Sequence, residues 1–229
     1  RMPEELNRKI SGVEAKFNFA PTKTAVENLI NEGIKPEKIF EVGNTIVDAA
    51  IENLKIAKNK SNILEKLNFT NEKFVVLTLH RPSNVDNKFI LKNILKTLKN
   101  LAEINFVFSI HPRTKKNLLK FNLWEMVEKN KNFQIINPLG YLDMLTLMAN
   151  SYFILTDSGG MQEESVILKK PCLTLRDNTE RPESVEIGAN LLIGNDPDRI
   201  EKYVKKLWFQ KDFYQSMIPE KNPFGDGNS

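Results

Sequence analysis

The run YFILTDSGGMQEESVILKKPCLTLRDNTERPES, Tyr152 to Ser184, decides how this chain folds. An apolar strand, Tyr152 to Thr156, ends in Asp157-Ser158-Gly159-Gly160, and a helical pattern opens at once. The start of a helix carries unpaired backbone N–H groups and roughly half a positive charge. Two glycines there let an anion approach the backbone, and Ser158 can cap the helix or donate to the same anion. A second strand then delivers Arg176 and the loop bearing Arg181. Strand, glycines and helix in this order hold phosphate at the carboxyl end of a parallel sheet. The stretch reads as a phosphate and nucleotide site.

Outward from this run, short apolar segments alternate with longer amphipathic ones, the pattern of βαβ units and a doubly wound parallel sheet in an α/β protein. Strands are expected at Phe17 to Ala20, Ile39 to Val42, Phe74 to Leu79, Asn105 to Ile110, Phe133 to Ile136, Tyr152 to Thr156, Cys172 to Leu175 and Asn190 to Ile193. Helices are expected between them. Phe89 to Ala102 carries Phe89, Ile90, Ile94, Leu95 and Leu98 on one stripe, and Asp196-Pro197 opens another helix ending at Phe209. The lysine-rich stretch Lys58 to Asn62 reads as a surface connection. From Lys73 onward the alternation makes one complete domain. Residues 1–44 supply two strands and two helices, about right for the last part of another domain, and residues 45–72 join the two.

Composition narrows the class. With 229 residues, 41% of them hydrophobic, the chain can bury a sizeable core. Its net charge of +4 is spread through lysines on helical segments, which reads as a solvated surface and gives no argument for a nucleic-acid partner. No apolar stretch approaches the ~20 residues needed to cross a bilayer, so no membrane partner is expected. The single cysteine, Cys172, lies in an apolar strand; it reads as core and fits a reducing compartment, hence a cytoplasmic location.

Both histidines end a strand, His80 in LTLHRPSN and His111 in FSIHPRT, each beside an arginine, Arg81 or Arg113. Ligands in open parallel sheets sit at those ends. Either histidine alone could be a hydrogen-bonded turn residue; with the Ser-Gly-Gly helix start, His80 reads as functional. Neither has a carboxylate or cysteine at ligand spacing, so no metal is expected. Glu164, one turn into the helix, could accept hydrogen bonds from a ribose diol, although a helix-dipole role suits it or Glu163 equally. Arg181, fixed by Pro182, suits bidentate phosphate binding, with a plain salt bridge as the alternative. Glu4 and Glu5 follow Pro3 and look like acidic first-turn residues. GxGxxG and Walker A patterns are absent, so neither a dinucleotide oxidoreductase nor a P-loop kinase is supported.

Taken in order, MPEELNR, FAPTKTAVENL, VGNTIVDA, LHRPSNVDN, HPRT, LTDSGGMQEE, KPCLTLRDNTERPE and NPFGDG resemble the UDP-N-acetylglucosamine 2-epimerase family across essentially the whole chain. The resemblance implies a Rossmann-like, glycosyltransferase-B-like C-terminal domain with a remnant of the N-terminal one, the active site lying in the cleft between domains. It implies an isomerase that interconverts UDP-GlcNAc and UDP-ManNAc without a cofactor, by eliminating and re-adding UDP through a 2-acetamidoglucal, for surface polysaccharide or amino-sugar precursors. By resemblance, Ser158, Gly159 and Gly160 cradle the phosphates, Arg81 lies in the same site, Glu164 holds the ribose and Arg181 reaches the diphosphate. His80 occupies the leaving-group histidine position, and Glu4 matches a carboxylate in the family's PEE segment, which overrides its bland first-turn reading. His111 matches a position linked to a regulatory UDP-GlcNAc. A homodimer is implied.

Two departures bear on activity. The family's GTRPE, GDT and HVEAGLR segments, which supply further catalytic carboxylates, do not occur here, and neither does its last helix after NPFGDG. A chain truncated at both ends and inactive by itself is therefore expected. Ser83 stands where the family's HRxEN carries glutamate, which puts a carboxylate beside His80 in doubt. The competing readings are a hydrolysing epimerase that releases UDP and ManNAc, a UDP-sugar-binding fragment without catalysis, and a retaining glycosyltransferase, against which TERPE argues.

Overall fold

Apolar runs buried on both faces become parallel strands, and their amphipathic connections become the helices that cover them. The computed structural model describes residues 3–69 and 72–229, without the side chains of Pro3 and Glu4. Two compact units result, one of residues up to Glu52 with Lys221–Ser229, the other Asn53–Glu220.

The first unit contains α1 (Pro3–Glu14), β1 (Asn18–Ala20), α2 (Lys23–Asn31), β2 (Ile39–Glu41) and the start of α3 (Thr45–Lys60). β1 and β2 pair in parallel, Phe19 opposite Phe40. Thr22 caps α2 by accepting from the Ala25 N–H at 3.2 Å. The C-terminal segment closes on the entry to α3, where the Asn44 N–H donates to Phe224 O at 2.8 Å. Gly43 has φ +83° there, and a Cβ would lie 2.8 Å from Ser229 Oγ, so only glycine fits.

The second unit continues with α4 (Ile63–Lys66), β3 (Phe74–Thr78), α5 (Pro82–Val85), α6 (Lys88–Lys99), β4 (Asn105–Ser109), α7 (Pro112–Lys120), α8 (Trp124–Glu128) and β5 (Phe133–Ile136). There follow α9 (Tyr141–Asn150), β6 (Phe153–Thr156), α10 (Gly159–Ile167), β7 (Cys172–Thr174), α11 (Pro182–Glu186), β8 (Asn190–Leu192), α12 (Pro197–Phe209) and α13 (Lys211–Ser216). Six strands lie in the order β5-β4-β3-β6-β7-β8, every pair parallel. Val75, Leu77, Phe106, Phe108 and Phe153 pack on one face against Leu91, Ile94, Leu95 and Leu98 of α6 and Ile200, Val204 and Leu207 of α12. Phe74, Val76, Val107, Ile154 and Cys172 meet Leu147 and Met148 of α9 and Met161 of α10 on the other. Strand order reverses between β3 and β6, and a crevice for ligands opens at the carboxyl ends of such a pair.

The eight expected strands all form, several one residue shorter. Leu79, Ile110, Leu175 and Ile193 are buried just past the last paired residue of their strands, and Ile110, Leu175 and Ile193 still donate one bond each to the next strand, to Ile136 O at 3.0 Å, Thr156 O at 2.8 Å and Thr174 O at 2.9 Å. Two expectations need correction. Phe89 does not join the buried stripe of α6; it is 71% exposed in the first turn, and Leu91 takes the inward position. Lys58 to Lys60 form the last turn of α3 instead of a connection, where cations suit the free carbonyls of a helix end. The Asp196 cap of α12 forms as expected, its carboxylate accepting from the Arg199 N–H at 2.9 Å.

Candidate functional site

At the switch point, β3 runs out into His80-Arg81 and β6 into Asp157-Ser158. Asp157 is fully buried. Its carboxylate accepts the backbone N–H groups of His80 at 3.0 Å and Arg81 at 2.9 Å, and Asn84 Nδ2 at 3.1 Å. His80 Nδ1 lies 3.0 Å from Asp157 Oδ1, so the ring turns Nε2 away from the carboxylate. Burial opposes ionisation of Asp157, but the His80 and Arg81 hydrogen bonds outweigh it and hold the carboxyl below its usual range. Asn84 also donates to Leu175 O at 2.8 Å, tying the end of β7 to the same knot. The Asp157 carboxylate therefore faces inward and shapes the loop that carries His80 and Arg81.

α10 starts directly after Asp157. Ser158 is its N-cap, in extended conformation, but its side chain makes no capping bond, which leaves the first amides and the hydroxyl to another acceptor. Gly159 is buried and Gly160 exposed, and nothing lies within 4 Å of the place a Gly160 Cβ would occupy. Beside Gly159 stands the carboxylate of Glu180, 3.3 Å from that residue's Cβ position, with Arg81 Nη2 3.8 Å from the same point. Glu180 is held by Arg176 through two bonds, 2.7 and 2.9 Å. That pairing outweighs partial burial and sets the Glu180 carboxyl at about 2. A small polar cavity of about 160 Å³, lined by Ser83, Asn84, Arg176 and Asn195 among others, opens alongside.

Further along α10 the neighbouring glutamates take different partners. Glu163 is buried and sits 2.7 Å from Arg181 Nε, an ion pair close in distance though off the line of the N–H bond. Glu164 receives the Tyr141 hydroxyl; burial pushes its carboxyl up to about 7 despite that bond, with Glu163 adding repulsion. Burial, then the charge and hydrogen bond of Glu164, push Tyr141 up to about 12. A buried amide net fixes the Arg181 loop on α10. Gln162 Oε1 accepts from Thr179 Oγ1 at 2.6 Å and Asn190 Nδ2 at 3.0 Å, and Ser184 Oγ donates to Arg181 O at 2.7 Å.

His80, Arg81, Ser158, Gly159, Gly160, Glu164 and Arg181 all belong to this end of the sheet. His111 joins them, its ring centroid 5.4 Å from that of His80, because β3 and β4 are adjacent. Its Nδ1 accepts from the Arg113 N–H at 3.2 Å, capping α7, while the Arg113 side chain pairs with Asp86. Glu4 lies in α1, and its side chain is outside the described residues. Sequence reasoning missed the roles of Asp157, Asn84, Tyr141 and Glu180. Only Asp157 gave a signal, as an acidic residue placed directly before an amide-rich helix start. Among the described residues no group of histidine, cysteine and carboxylate side chains is set to hold a metal, and no helix is long and apolar enough to cross a membrane.

The parallel sheet with its strand order reversing between β3 and β6, covered by helices on both faces, defines a doubly wound α/β protein. The chain belongs to the UDP-N-acetylglucosamine 2-epimerase family, which matches residues 1–229. It is 50% identical to a UDP-N-acetylglucosamine 2-epimerase of Methanocaldococcus jannaschii, over 100% of this chain and 62% of that protein. The crystal structure of the M. jannaschii UDP-GlcNAc 2-epimerase in complex with UDP-GlcNAc and UDP superposes with a TM-score of 0.85 at 49% identity, covering 99% of this chain and 62% of the other. The epimerase from Neisseria meningitidis bound to UDP-GlcNAc gives a TM-score of 0.85 at 36% identity, covering 99% and 62%. The chain thus spans about three fifths of the length of the curated relatives it matches.

Proposed function

We propose that this chain is the UDP-binding part of an isomerase that interconverts UDP-N-acetylglucosamine and UDP-N-acetylmannosamine at C2. The observation that carries the reading is the convergence on one crevice of the α10 glycines, Arg81, Arg176 and a histidine oriented by a buried carboxylate. In the proposed reaction a base takes the C2 proton, and the C2–H electron pair forms the C1=C2 double bond. The C1–O bond breaks towards the diphosphate, giving UDP and 2-acetamidoglucal; re-addition to C1 with protonation of the other face of C2 completes the epimerisation. His80 as the imidazolium, its Nδ1–H directed to Asp157, donates Nε2–H to the departing phosphate oxygen, and the helix start, Ser158 and Arg181 hold the diphosphate. Glu164 receives the ribose hydroxyls, and Glu4 is our candidate acid/base. His111 is assigned to a regulatory sugar-nucleotide site.

We further propose that residues 1–44 are the C-terminal part of a larger Rossmann-like domain. Phe19 and Phe40 on the β1–β2 pair are 68% and 43% exposed, and two parallel strands rarely stand alone. A homodimeric, cytoplasmic enzyme completes the reading. The test is product analysis by NMR on the longer parent protein supplied with UDP-GlcNAc: UDP-ManNAc is expected, and free ManNAc with UDP would instead mark a hydrolysing enzyme. Neither product from a folded parent protein would refute the assignment.

A further inference from the structure

The polar knot at Gly159 contains one group that a phosphate site has no obvious use for. Glu180 is a carboxylate at the mouth of an anion crevice, where it repels any phosphate that approaches. Its position is nevertheless that of a ligand. Oε1 and Oε2 take both terminal nitrogens of Arg176, Oε2 lies 4.0 Å from Arg81 Nη2, and the same oxygen rests against Gly159 at the head of α10. Two guanidinium groups and a helix start thus converge on a carboxylate supplied by the chain itself.

The two partners of this ion pair differ in their access to water. The Glu180 side chain is 54% exposed, whereas that of Arg176 is 11% exposed. Glu180 can leave for solvent at little cost, since exposed carboxylates are well hydrated. Arg176 cannot follow, and a nearly buried guanidinium needs an anion opposite it. Its fork of donors suits phosphate as well as carboxylate. Arg176 can therefore exchange one anion for another without being stranded.

Resting on the UDP-binding reading above, we propose that Glu180 is the built-in counter-anion of the site: its carboxylate holds Arg176 and Arg81 in the empty protein and is expelled when the substrate diphosphate takes its place at Gly159. The carboxyl at about 2 keeps this group charged at any working pH, as a phosphate mimic requires. The exchange keeps the arginines preorganised between turnovers and makes the diphosphate, rather than the uridine, the group that opens the loop.

Glu180→Gln tests this, because glutamine keeps the shape and one acceptor for Arg176 while removing the competing charge. Calorimetry with UDP should show binding about three- to tenfold tighter than wild type, the scale of one partly exposed like charge. Uridine, which lacks phosphates, should bind both proteins equally. Equal or weaker UDP binding by a folded variant overturns the proposal and leaves Glu180 as a structural ion pair. Should the variant fail to fold, the wild-type crystal structure with UDP decides: a phosphate oxygen between Arg176 and Gly159 with Glu180 swung out supports it, and an intact Arg176–Glu180 pair beside bound UDP overturns it. Absence of UDP binding by folded wild type would sink the nucleotide reading itself, a result distinguishable from both.

Discussion

Replacing Glu164 by glutamine should make the ligand-free protein more stable at alkaline pH and a poorer binder of UDP. Burial pushes the Glu164 carboxyl up to about 7, from the 4.5 of an unperturbed glutamate. Between those two values the folded protein keeps a proton that the unfolded chain has released, so stability falls as pH rises through this window. Below it both states are protonated and the difference vanishes; above it the whole cost persists. A gap of that width corresponds to about 3 kcal/mol at most, and the partial exposure of the side chain lowers the expectation to about 1–2 kcal/mol. Glutamine removes the charge but can still accept the Tyr141 hydroxyl. Urea unfolding at pH 5 and pH 8.5, followed by the fluorescence of Trp124 and Trp208, should show wild type losing about 1–2 kcal/mol more than the variant. A ribose diol needs two acceptors, and the amide offers one acceptor and a donor, so UDP should bind the variant several-fold more weakly at pH 8. Wild-type affinity should also rise with pH through about 7 relative to the variant; titration of the UDP phosphate is common to both proteins and cancels. Parallel stability curves for the two proteins across pH 5–8.5 would refute the claim that Glu164 carries a buried charge.

Asp157→Asn should lower stability by about 3 kcal/mol, because an amide presents a donor to the N–H groups of His80 and Arg81 at a fully buried position; a loss under about 1 kcal/mol in chemical unfolding would contradict the inward-facing role. Arg181→Ala should weaken UDP binding by roughly 1.5–3 kcal/mol by calorimetry, as expected for a charge-assisted contact, and unchanged affinity would remove Arg181 from the site. His80→Ala in the longer protein proposed above should leave UDP binding largely intact and slow turnover by about a hundredfold or more, the scale of one proton-transfer or charge-stabilising group; equal rates would end its leaving-group role.

The sheet was legible in the sequence because its strands are buried on both faces, so Phe74-Val75-Val76-Leu77 and Phe153-Ile154-Leu155 appear as unbroken apolar runs. Strand ends were less legible: Leu79 and Leu175 are as buried as paired residues, and composition cannot see where strand pairing stops. Phe89 followed helical periodicity yet faces water, since periodicity gives a face and not how far along the helix the sheet extends. The strand-to-helix turn at Ser158-Gly159-Gly160 could be read from the sequence because its pattern is local to one turn, and α10 does open there. The meeting of His80 with His111 depends on β3 lying next to β4, and the Asp157 knot depends on β3 lying next to β6; strand order supplies both. Tyr141 carries no mark in sequence, and only the return of α9 towards α10 gives it Glu164. Glu180 reads as an ordinary i,i+4 partner of Arg176 until the loop lays it against Gly159.

The central claim, that the amides opening α10 bind the diphosphate of a uridine nucleotide, can be tested on those amides directly. The ten glycines of the chain can be labelled with ¹⁵N and their resonances followed during titration with UDP and, separately, with uridine. The account predicts large shifts at Gly159 and Gly160 with UDP and little change at either with uridine. Saturating UDP binding that leaves both amides unmoved would contradict it.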